Sequence, residues 1–207
     1  MTPGTKRNTA KVLALAVSIA GLAVITGWIF EIGLLKSISP LWVSMKLSTA
    51  FTFFLSGIAL YSIVVSDEGE FDAAQIVLSI VSLAIVLIMG TLFLSALFGV
   101  RTGEEDLFIR DTGSLVNTVT PGRPSVPTML SFILIAFAGM ATILNSGKLQ
   151  LIFKVTGLVT GLAGITALTG YIINVPLLCF YVKDVNSAMA FNTALLFLLL
   201  GSGFLCL

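Results

Sequence analysis

Apolar residues run along this chain in six long blocks, with polar residues gathered between them. The blocks cover roughly residues 12–30, 47–65, 73–98, 128–144, 151–173 and 188–207. A helix needs about 20 largely apolar residues to cross the hydrocarbon core of a bilayer. Hydrocarbon offers no water to open backbone groups, so each block predicts a spanning helix. A transmembrane barrel would instead show alternating segments of about ten residues, and these runs are longer and apolar throughout. The expected fold is an all-α membrane protein with six transmembrane helices.

The blocks also repeat in pairs, with a fixed internal order. Gly27-Trp28-Ile29-Phe30-Glu31-Ile32 lines up with Gly170-Tyr171-Ile172-Ile173-Asn174-Val175; each follows a threonine and precedes a Leu-Leu pair. Thr49-Ala50-Phe51-Thr52-Phe53 lines up with Thr193-Ala194-Leu195-Leu196-Phe197, and Gly57 with Gly201. A weaker middle copy reads Ser95-Ala96-Leu97-Phe98-Gly99-Val100 and then Thr128-Met129-Leu130-Ser131-Phe132. One membrane domain, 1–207, thus divides into repeats of about 11–66, 73–145 and 151–207. Three tandem parallel helical hairpins are expected, packed about a pseudo-threefold axis. A hairpin returns the chain to its starting side, so the three inter-helix loops share one face of the membrane.

Composition narrows the function. With 57% hydrophobic and 10% charged residues, the chain is far from a soluble domain. The first block is longer than a signal-peptide core and lacks a small-x-small cleavage site, so it is read as a retained helix. No histidine is present, which excludes bis-His haem, the common zinc and copper sites, a Ser-His protease and a phospho-acceptor histidine within these residues. No phosphate loop or nucleophile constellation appears; Gly201-Ser202-Gly203 lacks a base. No cofactor, metal or catalytic residue is therefore expected. A net charge of +1 argues against a nucleic-acid partner. Cys179 and Cys206 stand far apart and are read as free thiols.

Charge sets the expected orientation. Lys6, Arg7 and Lys11 precede the first block, and Lys148 and Lys154 flank the turn before the fifth. The positive-inside tendency then places both termini in the cytoplasm of a multi-pass inner or plasma membrane protein. The opposite face still holds Lys36, Lys46, Arg101, Arg110, Arg123 and Lys183, so the bias is weak. The acidic turn Asp67, Glu68, Glu70 and Asp72 carries little weight in that rule. The last apolar block runs to Leu207, which suggests a helix continuing toward a cytoplasmic domain outside these residues.

On that topology the outer loops hold the candidate chemistry. Trp28, Trp42, Tyr171 and Tyr181 form either an interfacial aromatic belt or part of a hydrophobic lid over a pocket. Glu31 and Lys46 close the first hairpin; they are a polar recognition pair or interfacial anchors, with Lys46 snorkelling to water. The matching residues are Gly99 and Ser125, then Asn174 and Ala190. Arg123, between two prolines, can clamp a carboxylate or phosphate, or pair with Glu104, Glu105 or Asp106 of its own loop. Thr49, Thr128 and Thr193 each precede a phenylalanine by four residues, on one helix face, as packing or capping groups; Asn192 adds an amide beside the third. Gly157 and Gly161 have the GxxxG spacing of close helix approach, within the protein or between protomers.

The repeated residues resemble the N-terminal membrane regions of sensor histidine kinases, a group that includes PAS-containing and diguanylate cyclase relatives. The segments that carry the resemblance are Gly27-Trp28-Ile29-Phe30 with Thr49-Ala50-Phe51, Pro121-Gly122-Arg123-Pro124-Ser125, and Gly170 to Pro176 with Phe191 to Gly201. The resemblance implies a signal-input module in the lipid bilayer. It would act as a homodimer upstream of a cytoplasmic signalling domain, in the same polypeptide or as a partner. It supplies no ligand and no binding residue. A small-solute transporter or channel and an accessory subunit of a membrane complex remain the alternatives. Against carriers built of three two-helix repeats, Pro40 and Pro176 lack the acidic and basic residues of that signature.

Overall fold

A computed structural model describes residues 2–67, 71–100, 103, 117–183 and 185–207. The acidic residues of the turn at 68–70, and Arg101, Glu104, Glu105, Asp106 and Arg110, lie outside the described residues, as do the side chains of Asp67 and Asp72. The described chain is all-helical: α1 (Pro3–Ile29), a one-turn α2 (Gly33–Lys36), α3 (Leu47–Asp67), α4 (Phe71–Phe98), α5 (Val126–Ile143), α6 (Leu149–Ile172) and α7 (Phe191–Leu205). A 3-10 turn, Pro176–Cys179, lies between α6 and α7.

Five of these helices, α1, α3, α4, α5 and α6, are long and apolar enough to cross a membrane. The chain is a membrane protein by that criterion. The sixth apolar block differs from expectation. Its helix, α7, has 15 residues, a length of about 22 Å against a core of about 30 Å. The shortening has a local cause. Residues 188–190 run extended because their backbone is used elsewhere: Ala188 N–H donates to Asn117 O at 3.0 Å and Met189 N–H to Cys179 O at 2.8 Å.

Helices pack in sequence-adjacent pairs, α1 along α3, α4 along α5, and α6 along α7. Each first member also touches the second member of another pair: α1 meets α7, α4 meets α3, and α6 meets α5. The second members, α3, α5 and α7, therefore lie inside. About 72% of α3's apolar span is buried, against 33–50% for the other four. The first members show the reverse pattern of a soluble helix. Val12, Leu15, Ile19 and Leu22 on α1, and Leu151, Val155, Leu158 and Leu162 on α6, form exposed apolar stripes at helical spacing. Such stripes suit lipid as solvent.

Small residues set how closely the pairs approach. A Cβ on Gly57 would lie 2.5 Å from Ala14 O and would strike the Ser18 hydroxyl. One on Gly201 would lie 2.7 Å from both Gly157 O and Gly161 N. The α6 glycine pair is thus spent inside the protein, against α7. Several exposed hydroxyls within the helices close on their own carbonyls, as Thr166 does on Leu162 O (2.8 Å) and Thr169 on Ile165 O (2.9 Å). That leaves lipid no open donor at these sites.

Three phenylalanines close the centre. Phe53, Phe132 and Phe197 come from α3, α5 and α7, are fully buried, and touch pairwise at centroid distances of 4.7, 4.8 and 4.9 Å. Gly201→Val should lower thermal stability in detergent by about 1–3 kcal/mol through overpacking. Gly90→Ala, whose added Cβ meets only Val86 Cγ1 at 3.9 Å, should leave it unchanged.

Candidate functional site: the loop end of the bundle

The first helix of each pair ends in the same way. Glu31, Gly99 and Asn174 adopt left-handed backbone angles, with φ of 56°, 65° and 54°. The next amide reaches back in each case: Ile32 to Gly27 O (2.8 Å), Val100 to Ser95 O (3.1 Å) and Val175 to Gly170 O (2.9 Å). This is a Schellman-type stop, which satisfies carbonyls that a helix end leaves open. Glu31 and Asn174 are exposed at these corners, so a backbone role accounts for their positions.

The returning strand is then tied to the helix it left. Trp28 Nε1 donates to Met45 O at 2.9 Å, and Tyr171 OH donates to Met189 O at 2.8 Å. Met45 and Met189 each stand four residues before a threonine of the Thr49/Thr193 pair. In the middle pair Ala96 has no such donor, and Arg123 makes the tie instead. Its guanidinium donates to Ser95 Oγ (2.6 Å) and Val100 O (2.9 Å). Its suggested acidic partners lie outside the described residues.

Below these ties sits a small polar chamber. Lys46, Ser125 and Ala190 are the residues just before α3, α5 and α7. Thr49, Thr128 and Thr193 occupy the third position of the same helices and are buried. All six line a cavity of about 10 Å³, room for about one water. Thr128 and Ser125 share a hydroxyl–hydroxyl hydrogen bond of 2.7 Å. Lys46 is only 5% exposed, whereas Glu31 is exposed. Three helix N-termini converge on the chamber, and their dipoles favour an acceptor there, but it has no room for a larger ligand.

The aromatic residues gather at one side. Trp42 stacks on Phe191, the first residue of α7, at 4.9 Å and 27°, and leans on Tyr171 at 5.1 Å. Tyr171 meets Phe191 edge-on at 5.5 Å. Asn192 Nδ2 reaches Leu35 O at 3.4 Å, a second link from α7 to the first loop. Tyr181 is half-buried and packs against the core. Asn186, which sequence reasoning passed over, accepts from Val126 N–H (3.1 Å) and donates to Phe180 O (2.7 Å), joining the second and third loops. Lys36 was also passed over as a candidate. It lies over the Trp28 ring at 4.6 Å, a cation–π contact.

Among the described residues three further cavities open at this end. One of about 400 Å³ lies under residues 33–44 and is lined by both tryptophans, Lys36 and Ser44. One of about 240 Å³ includes Tyr171, Asn174 and Cys179, and one of about 230 Å³ includes Arg123 and Asn186. Among the described residues no cluster of three or more Cys, Asp or Glu side chains is placed to hold a metal. Burial pushes the Cys179 thiol up to about 11.

No protein-family model, curated protein or solved structure matches this chain.

Two outcomes test this geometry. Glu31→Gly removes the left-handed strain on a residue with a side chain, so it should raise stability by about 1 kcal/mol in thermal unfolding. A loss would mean that the carboxylate itself holds a contact. In a Cys206→Ser background, Cys179 should react slowly with a membrane-permeant maleimide at pH 7.5. The rate should rise about tenfold per pH unit up to the raised thiol value, since only the thiolate reacts.

Proposed function

We propose that this protein is the signal-input module of a membrane receptor, built as three tandem helical hairpins with six spans. On this reading the chain sits in the inner or plasma membrane with both termini cytoplasmic, and the three loops face outward. A stimulus at the loops shifts the packing of the first hairpin against α7. Helix α7 carries the shift to a cytoplasmic output domain of kinase type, in a homodimer.

The observation that carries the proposal is the Trp42–Phe191 stack. It joins the tip of the first loop to the first residue of the last helix, and Asn192 to Leu35 O repeats the link. A receptor needs such a connection between its stimulus face and its output element. The repeat has support in the paired contacts. Gly21 faces Ala50 O and Phe54 N as Gly164 faces Ala194 O and Leu198 N, positions that the sequence repeat also pairs. The transporter reading is disfavoured by the centre of the bundle, where Phe53, Phe132 and Phe197 fill the axis and, among the described residues, no ionisable side chain packs with them.

A fluorescent reporter fused after Leu207 should be bright in the cytoplasm; an external reporter would reject the topology. A kinase core fused at the same point reads the coupling. Trp42→Ala removes the stack and should change basal autophosphorylation at least about twofold at equal expression, as coupling energies of about 0.5–2 kcal/mol imply. Unchanged output would reject the input role.

A further inference from the structure

We propose that the cavity under residues 33–44 binds a small amphiphile with an anionic head and a flat apolar body. The proposal rests on the signal-input reading only for what binding would do, and the binding itself is tested separately.

Size comes first. At about 400 Å³ the cavity falls within the usual range of about 300–1,000 Å³ for small-molecule sites. It is the only one of the three loop-end cavities described that reaches that range.

Its walls are aromatic and held in place. Trp28 is 6% exposed and its indole N–H is fixed on Met45 O. Trp42 is fixed from behind by Phe191 and Tyr171. Preformed walls spare a ligand the cost of ordering them. The loop beside the cavity is tied down as well, since Met45 N–H donates to Lys36 O at 2.9 Å and Ser37 Oγ donates to Ser39 O at 2.8 Å. Ile38 and Pro40 complete an apolar lining.

The polar groups fix the head. Lys36 lines the cavity and makes no ion pair among the described residues; its ammonium rests on the Trp28 face. That contact leaves ammonium protons for an acceptor. Ser44 lines both this cavity and the small chamber, and its hydroxyl oxygen is shielded from solvent. A carboxylate, sulfonate or phosphate head answers the Lys36 ammonium. Glu31, the nearest acid in sequence, does not line the cavity.

Both tryptophans of the chain line this cavity, so intrinsic fluorescence reports on it directly. The full chain in zwitterionic nanodiscs is titrated with 4-(4-bromophenyl)butyrate, whose bromine quenches an indole on contact, and with its methyl ester. Saturable quenching by the carboxylate is expected, with the ester at least about tenfold weaker. Lys36→Gln should weaken the carboxylate about tenfold, with thermal stability retained. Equal, non-saturating quenching in wild type and Lys36→Gln would mean bilayer partitioning alone and would overturn the site. An ester that binds as tightly as the acid would overturn the anionic head. Hydrogen exchange across α7 is read in the same samples. Saturable, Lys36-dependent binding without a change there upholds the site and counts against the input role instead.

Discussion

In hydrocarbon, helices gain little by hiding apolar surface from lipid, because lipid is as apolar as leucine. Association must come from shape, and the Phe53–Phe132–Phe197 contact is where three shapes meet. Each ring is fully buried and touches both others. The contact sets the spacing of α3, α5 and α7. The spacing then decides how near α1, α4 and α6 can lie, and small residues at the outer–inner crossings follow from it. Gly57 against Ala14 and Gly201 against Gly157 are places where even one methyl group has no room.

One turn above the phenylalanines the same helices bring Thr49, Thr128 and Thr193 together, because a spacing of four residues keeps both side chains on one face. The chamber between them has a volume of about 10 Å³, a consequence of how tightly the rings below draw the helix ends. Lys46 enters this chamber from the residue before α3, where the other two inner helices have Ser125 and Ala190. The aromatic packing therefore leaves the Lys46 side chain held at the hub of the loop end. The loops above are bound to one another through the hub strands, as Asn186 shows by serving Val126 and Phe180 at once.

Much of this was legible in the residues. Block lengths gave the helices, and the threonine–phenylalanine spacing pointed to the inner faces. The matched Glu31, Gly99 and Asn174 marked three equivalent corners, although their backbone role was hidden by two of them being polar. Left-handed geometry is announced by glycine and concealed by glutamate. The start of α7 was misjudged for a related reason. Ala188, Met189 and Ala190 are apolar and helix-compatible, and only distant carbonyls, at Asn117 and Cys179, hold them extended. Lys36 escaped notice because its significance comes from the Trp28 ring beneath it. Nothing in the local sequence reports that contact.

Where the pairs agree, the residues hold the fold; where they differ, the residues are open to other uses. The tie at the returning strand is an indole N–H in one pair, a phenol in another and a guanidinium in the third, so the same constraint is met by three chemistries. The first pair departs furthest. Among the described residues it has a lysine at the hub, a second lysine on an indole, and a loop beside a cavity of about 400 Å³. In the third pair the corresponding turn, Pro176–Cys179, packs against α6, with the Cys179 thiol set toward Ala167 O at 3.6 Å. The first loop closes on its own helix in the same way, with α2 against α1 and Leu35 over Gly27, yet it leaves the larger cavity, about 400 Å³ against about 240 Å³ beside the third turn. Selection for stability alone would fill that space. The first loop, stacked through Trp42 onto α7, is therefore the part of the molecule where a structural explanation ends and a functional one is needed.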